Sequence, residues 1–154
     1  MSLVKVKEYL KKYNMDDRIM EFDVSSATVS EAAIAIGCKE EEIAKTLGFI
    51  VNDKAIVIVV AGDKKIDNSK YKKEFHTKAK MVPFDEVENI LGHEVGGVCP
   101  FGLNDNVSVY LDVSLKKYDY VYPACGSHNS AIKLSLEELE KASNYVKWVD
   151  VCKN

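Results

Sequence analysis

The clearest hydrophobic pattern lies in the middle of the chain. Residues 43–51 and 55–61 are two runs rich in apolar and β-branched side chains, and Asn52-Asp53 separates them. Asn and Asp tolerate the left-handed backbone that a tight hairpin turn requires. The second run contains no polar position, which is typical of a strand that is buried on both faces. The pattern therefore predicts a β-hairpin at the centre of a sheet.

Apolar residues at three- and four-residue spacing predict a first helix over residues 3–13. A second helix is predicted to begin at the capping box Thr28-x-x-Glu31 and to end at Gly37. Capping residues and periodicity predict three more helices, over residues 68–75, 84–91 and 136–142, the last beginning at a second capping box, Ser135-x-x-Glu138. Alternating or β-branched runs predict further strands, at residues 18–22, 78–82, 107–111, 118–124, 131–134 and 145–151.

These elements define the expected fold class. Strands outnumber helices, and the order of elements implies both hairpins and crossovers. A chain of 154 residues is of the size of one domain. We therefore predict a single α+β domain over residues 1–154, with a mixed, largely antiparallel, barrel-like sheet flanked by helices.

Composition excludes several classes of protein. Hydrophobic residues make up 47% and charged residues 29% of the chain, which is ordinary for a globular protein. No apolar run approaches the ~20 residues that span a bilayer, and the first residues do not resemble a signal peptide. The expected location is cytoplasmic. The four cysteines are far apart and are expected to be reduced thiols; Cys125-x-x-His128 is half of a zinc site at best, so no metal is expected.

The charge is unevenly distributed. The net charge of −3 argues against general affinity for nucleic acid. Residues 62–80, however, contain seven lysines against three acidic residues, a local excess of +4. This segment is either a phosphate-binding surface or a solvated helix face, and charge alone favours the second interpretation.

Residues 96–102, Gly-Gly-Val-Cys-Pro-Phe-Gly, form a segment that we call the glycine loop. Three glycines and a proline exclude a helix interior or a central strand. Without Cβ atoms, main-chain N–H groups can approach a phosphate, a carbonyl oxygen or a ribose closely. The alternative is an ordinary turn, since glycine and proline dominate turns. Standard nucleotide-binding, esterase and metalloprotease motifs are absent from the sequence.

Seven short motifs occur in the order found in one known family. They lie at residues 43–47, 61–67, 96–103, 111–115, 124–126, 132–135 and 138–139. Together they resemble the YbaK/ProX/EbsC family of aminoacyl-tRNA deacylases, which is related to the editing insertion domain of prolyl-tRNA synthetase. The resemblance extends from about residue 19 to residue 151, which is nearly the whole chain.

The resemblance implies a reaction and a partner. Members of this family hydrolyse the ester between a wrong amino acid and the 3′-terminal adenosine of a tRNA, without metal, cofactor or covalent nucleophile. A water molecule, assisted by the 2′-hydroxyl of the substrate, attacks the carbonyl. The expected partner is therefore misacylated tRNA, with an aminoacyl-tRNA synthetase as a further candidate; no DNA or membrane partner is expected.

The resemblance also implies roles for particular residues. The catalytic set would be Lys45, Gly96, Gly97 and Pro100, with the lysine binding a phosphate or carbonyl oxygen and the loop N–H groups contacting the carbonyl or ribose. Substrate would also contact Thr46, Val98, Cys99, Phe101, Gly102, Gly126, Ser127, His128 and Asn129. The tRNA phosphates would meet a lysine patch made of Lys64, Lys65, Lys70, Lys72 and Lys73.

The amino acid that is removed stays open. The sequence Lys-Thr-Leu at residues 45–47 looks like the branch that clears cysteine from proline tRNA, but Ser-His-Asn at 127–129 departs from that branch. Alanine, cysteine, serine, threonine and 2-aminobutyrate remain candidates, because a small pocket separates such side chains by only ~1–3 kcal/mol per methylene. Two other functions also remain: a binding module that senses aminoacyl ends or docks on a synthetase, and a hydrolase of small free esters.

Overall fold

The computed structural model describes residues 2–154; Met1, where the predicted domain begins, lies outside them. The helices of the described chain are α1 (Ser2–Lys11), α2 (Val29–Ile36), α3 (Asn68–Phe75), α4 (Val87–Leu91) and α5 (Leu136–Ser143). The strands are β1 (Met20–Glu21), β2 (Ile43–Val51), β3 (Lys54–Ala61), β4 (Ser108–Asp112), β5 (Tyr120–Pro123), β6 (Ser130–Ala131), β7 (Leu134–Ser135) and β8 (Trp148–Val149).

The predicted hairpin is the centre of the fold. Strands β2 and β3 pair in antiparallel register from Ala44–Ala61 to the pair next to the turn, Val51–Lys54. Asn52 and Asp53 both have positive φ, 50° and 66°, as a two-residue turn matching the twist of the strands requires. The hairpin prediction is confirmed.

The main sheet has six strands in the order β7-β5-β2-β3-β4-β8. The β2–β3 ladder is the longest and is antiparallel, as is the β5–β7 pair. The other three pairs, β2–β5, β3–β4 and β4–β8, are parallel. The small strands β1 and β6 form a separate antiparallel pair. The result is a curled, mixed half-barrel flanked by helices, and the α+β prediction is confirmed.

Both faces of β3 are buried, as its uninterrupted apolar sequence predicts. Val57 and Val59 pack with α1, Leu91 and the glycine loop in the larger hydrophobic cluster. Ile58 and Val60 point to the other face, where they pack with Tyr71 of α3 in a second cluster. The sheet therefore separates two layers, and the glycine loop belongs to only one of them.

Most of the outer predicted strands are shorter than expected, and for three of them the structure shows the local reason. Residues 78–82 form only one bridge, Met81 to Phe49. The run 131–134 is divided, because β6 pairs with β1 whereas β7 pairs with β5. The last strand is reduced to Trp148–Val149, since the N–H of Val151 donates to the buried carboxylate of Asp112 (2.9 Å) instead of to a strand.

The cysteines match the expectation of free, mostly buried thiols. Cys99, Cys125 and Cys152 are buried, Cys38 is partly exposed, and none forms a disulfide. Among residues 2–154, no helix is both long enough and apolar enough to cross a membrane.

Candidate active site

A cavity of about 480 Å³ opens on the glycine-loop side of the sheet. Its wall comes from four parts of the chain: the start of α2, the first half of β2, the segment leading through α4 to the glycine loop, and the ends of β5 and β6. Most of the side chains that line it are apolar. A cavity of this size and character is typical of a small-molecule site.

The edge of β2 explains why the cavity forms where it does. Strand β5 pairs with β2 only at Ile43 and Ala44. The next neighbour on that edge is Met81, opposite Phe49. Between these two contacts, residues 45–47 have no strand neighbour on this side within the described chain. The sheet is therefore open along its edge at this point, and the cavity occupies the gap.

The glycine loop fits tightly against the loop at residues 126–130, which we call the 126–130 loop. Gly96 has φ +92° in a turn closed by the Gly97 N–H, which donates to the carbonyl of Glu94 (3.0 Å). A Cβ on Gly97 would lie 2.5 Å from the carbonyl carbon of Gly126. The Gly126 N–H donates back to the Gly97 carbonyl at 2.9 Å. The absence of a side chain at Gly97 is therefore what lets the two loops touch.

Two main-chain N–H groups of the glycine loop, those of Gly96 and Val98, have no hydrogen-bond acceptor within the described chain. Both residues line the cavity. Unpaired N–H groups beside a cavity are the usual means of stabilising a developing oxyanion.

The other residues of the glycine loop hold it in place. Cys99 and Phe101 are completely buried in the larger hydrophobic cluster, and Pro100 is buried as well. The ring of His93, which is also inaccessible to solvent, lies 2.6 Å from the Phe101 carbonyl through Nε2. Gly102 packs on the main chain of Lys5. Of the four residues expected to be catalytic, only Lys45 and Gly96 line the cavity; Gly97 and Pro100 support the loop from behind.

Lys45 does not point its ammonium group at the glycine loop. Lys45 borders the cavity, but in the β2–β3 register it pairs with Val60 of the second hydrophobic cluster, so its side chain lies on the face opposite the glycine loop. The Nζ atom donates to the Lys64 carbonyl at 2.7 Å. The pKa of Lys45 is lowered mainly by burial, with opposing contributions from Cys152 and Asp63. The expected convergence of this ammonium with the loop N–H groups is thus not present.

Thr46 is the polar side chain that the strand register aims at the cavity. It pairs with Val59, on the face that carries the glycine loop. Its Oγ1 atom is buried and has no hydrogen-bond partner among the described residues. A buried hydroxyl without a partner is costly, which favours a role in binding a polar group of a ligand.

The 126–130 loop lies behind the glycine loop rather than in the cavity wall, except for Ser130. Ser127 donates to Ser130, and the Asn129 side chain donates to the Phe22 carbonyl (3.0 Å). The carboxylate of Glu94 accepts from the His128 N–H at 3.1 Å and lies 3.3 Å from its ring Nδ1. Residues 127–129 thus bond to neighbouring parts of the protein outside the cavity wall, and their contact with substrate remains a prediction.

The members of the lysine patch differ in how far their side chains are held by other residues. The ammonium of Lys70 is held by Asp150, the Cys152 carbonyl and Asn154 at 2.8–3.2 Å, so it fastens the C-terminus to α3. Lys65, Lys72 and Lys73 are exposed and Lys64 is partly buried. Phosphate binding by this patch remains a prediction, and Lys70 is its least available member.

Most residues of the cavity wall were not predicted as site residues from the sequence, and three of them are large apolar residues exposed to solvent. Met81, Phe84 and Val95 line the cavity and yet are exposed. No local pattern identifies them, because exposure of an apolar residue depends on tertiary packing. The sequence predicts for Phe84 only that it begins the helix over residues 84–91.

The buried ring of His93 predicts how stability depends on pH. Burial lowers its pKa below the ordinary value of about 6.5, and its Nδ1 has no partner among the described residues. The unfolded chain therefore takes up a proton that the folded chain resists. Stability is fully present above about pH 6.5 and falls as the pH drops below it.

We expect the melting temperature to fall between pH 7 and pH 5, and we expect His93→Gln to flatten that slope. Glu138, whose pKa is lowered to about 2 chiefly by the hydrogen bond from Arg18, loses its contribution only below about pH 4.5 and so does not interfere. Thermal unfolding followed by circular dichroism over this range checks the prediction. An unchanged slope in the variant would contradict it.

Comparison with known proteins gives consistent results. The profile of the aminoacyl-tRNA editing domain matches residues 23–142. The chain is 50% identical over its full length to the uncharacterized protein YwhH of Bacillus subtilis (strain 168), of which it covers 99%. It is 29% identical over 58% of its length to proline--tRNA ligase of the same strain, but spans only 16% of that enzyme. A solved structure described as a candidate trans-editing enzyme for prolyl tRNA synthetase superposes with a TM-score of 0.88 at 26% identity, covering 99% of this chain and 98% of the other.

Proposed function

The chain belongs to the aminoacyl-tRNA editing domain family, and from that premise we propose that it hydrolyses the ester of a misacylated tRNA as a free-standing, trans-editing deacylase. The tRNA proposed is that for proline, carrying a small wrong amino acid. The likeness to part of a proline--tRNA ligase and to a candidate trans-editing enzyme for prolyl tRNA synthetase supports this choice.

One observation carries the proposal: the apolar cavity of about 480 Å³ is lined by Gly96 and Val98, whose N–H groups have no acceptor within the described chain. The apolar wall suits a small side chain, and the two donors suit the carbonyl oxygen of an ester. An ester is already activated, so holding it in place and stabilising its oxyanion can supply most of the catalysis.

The proposed reaction needs only water and the substrate. The oxygen of a water molecule forms a bond to the ester carbonyl carbon while the loop N–H groups take the developing negative charge. The carbon–oxygen bond to the ribose then breaks, and the 3′-oxygen leaves with a proton. The neighbouring 2′-hydroxyl of the substrate orients the water and relays that proton. Free amino acid and tRNA are the products.

The contacts of Lys45 favour phosphate binding over carbonyl binding. Its ammonium lies on the face away from the loop donors, against residues 61–65. We call these residues the 61–65 turn, because the Lys64 N–H donates back to the Ala61 carbonyl (3.0 Å). The same turn carries Lys64 and Lys65, so a phosphate of the terminal nucleotides that approaches there meets several positive charges. A point charge that binds a phosphate suits lysine. The role proposed for Lys45 is therefore to fix the end of the tRNA while the ester enters the cavity.

A panel of charged tRNAs tests the function. The protein is incubated with proline tRNA charged separately with alanine, cysteine, serine and 2-aminobutyrate, and with correctly charged proline tRNA as control. We expect hydrolysis of at least one mischarged tRNA well above the spontaneous rate, and a fall in turnover as salt is raised. If every ester is hydrolysed only at the spontaneous rate, the deacylase proposal fails.

The placement of the Lys45 ammonium also favours a second candidate, a module that binds aminoacyl ends without hydrolysing them. In that case the panel would show protection of the ester rather than turnover. Saturable tRNA binding with no deacylation would support this candidate over the first.

A further inference from the structure

An apolar rim surrounds the mouth of the cavity. Met81, Phe84 and Val95 expose 57%, 77% and 42% of their surface and all line the cavity. An aromatic ring that is largely exposed while it borders a cavity is available to stack on a flat group of a ligand. We take these three side chains as the cavity rim.

The backbone holds Phe84 firmly. The preceding Val82 N–H donates to the Gly48 carbonyl of β2 at 3.0 Å, which fixes this segment to the sheet edge. Pro83 then begins a turn of 3-10 helix over Phe84–Glu86, closed by the Glu86 N–H on the Pro83 carbonyl (2.9 Å). The main chain at Phe84 is therefore held beside the cavity, which lowers the entropy cost of bringing the ring against a ligand.

The charges near the cavity rim favour some ligand groups over others. The residues after Phe84 are Asp85 and Glu86, both exposed and both acidic. Their carboxylates repel a phosphate but can accept hydrogen bonds from the amino group of a nucleobase. The lysines that attract phosphate lie instead at the 61–65 turn, where Lys45 is bound. The charges thus favour a base at the rim and a phosphate at the 61–65 turn.

We propose that Phe84, supported by Met81, is the stacking platform for the base of the tRNA's terminal adenosine. The ribose that carries the ester then lies between this platform and the N–H groups of Gly96 and Val98. The inference deepens the proposed function and rests on it, because the adenosine is that of the aminoacylated end. Stacking of a base on an aromatic side chain is sequence-tolerant and of substantial strength.

The test compares four proteins: the parent, Phe84→Leu, Phe84→Tyr and the control Tyr120→Leu. Leucine keeps an apolar surface but removes the ring, and tyrosine keeps the ring. Tyr120 is an exposed aromatic outside the cavity. Steady-state deacylation is measured on a mischarged proline tRNA that the parent hydrolyses. We expect Phe84→Leu to raise KM about tenfold with a smaller change in kcat, and the other two variants to stay near the parent.

A second measurement does not depend on turnover. Adenosine 5′-monophosphate is titrated with each protein while the proton signals of its base are followed by NMR. Stacking on a ring is expected to shift these signals upfield with the parent and with Phe84→Tyr but not with Phe84→Leu. If the parent deacylates no tRNA, the proposed function fails, and this titration still decides whether Phe84 binds a base.

Other outcomes would overturn the inference. Equal KM values and equal shifts for the parent and Phe84→Leu would show that the ring binds no base. Sedimentation velocity of the parent and of Phe84→Leu tests whether the cavity rim instead binds a second copy of this chain. A parent dimer that the leucine variant converts to monomer, with base binding unchanged, would make the rim an interface instead.

Discussion

Replacing Gly97 by alanine is expected to lower kcat/KM for deacylation at least about 100-fold. The added Cβ would lie 2.5 Å from the Gly126 carbonyl carbon and 2.6 Å from the Ser127 nitrogen, so two stretches of main chain must move apart. That movement breaks the Gly126–Gly97 hydrogen bond and displaces the N–H groups of Gly96 and Val98. Kinetics on a mischarged proline tRNA, with thermal unfolding alongside, gives the measurement.

The control for this change is Gly37→Ala. Gly37 ends α2 with φ +85° and has nothing within 4 Å of the position of a Cβ. Alanine there is strained and should cost about 1 kcal/mol of stability while leaving the glycine loop in place. We expect Gly37→Ala to melt at a lower temperature with activity near the parental level. Parental activity of Gly97→Ala would refute a role for the contact between the two loops.

Replacing Lys45 by alanine is expected to slow deacylation about tenfold or more without unfolding the protein. The side chain is half-buried and makes one hydrogen bond, to the Lys64 carbonyl, so the fold loses little. The variant is proposed to lose the contact between the Lys45 ammonium and a tRNA phosphate. We expect this loss to raise KM more than it lowers kcat at moderate salt. Steady-state kinetics at two salt concentrations measures it.

Two matched variants accompany Lys45→Ala. Lys45→Arg keeps the charge on a longer, planar group and should recover part of the affinity. Lys54→Ala removes an exposed lysine beside the hairpin turn, at the far end of the same pair of strands, and should change neither constant. If Lys45→Ala deacylates at the parental rate and with the parental KM, Lys45 has no part in the reaction.

The local parts of the fold could be predicted because their causes lie close together in the sequence. The hairpin follows from two apolar runs around Asn52-Asp53, and both capping boxes, Thr28 with Glu31 and Ser135 with Glu138, form as expected. Periodicity and capping act within a few residues. The last strand is shorter than its apolar run predicts, because the carboxylate of Asp112, which is distant in the sequence, accepts the Val151 N–H.

The sequence predicted the glycine loop of the candidate site, but not how the side chains around the cavity are arranged. The composition of residues 96–102 identified a shaped loop, and Gly96 and Val98 do line the cavity. The contact of Gly97 with Gly126 joins residues 29 positions apart, and no local pattern encodes it. Alternation along β2 places the side chains of Lys45 and Thr46 on opposite faces of the sheet. Only the packed sheet shows which of the two faces carries the glycine loop. For the same reason Phe84 was missed.

The most direct test of the account is to locate an uncleavable substrate. An adenosine whose 3′-oxygen is replaced by nitrogen and acylated with alanine cannot be hydrolysed at an ester, and it can be titrated into isotope-labelled protein. We predict saturable shifts of the Gly96 and Val98 amide signals in the two-dimensional NMR spectrum. Binding that leaves both amides unchanged, with the shifts confined to the smaller hollow near Ser114 and Cys152 on the other face, would contradict the account.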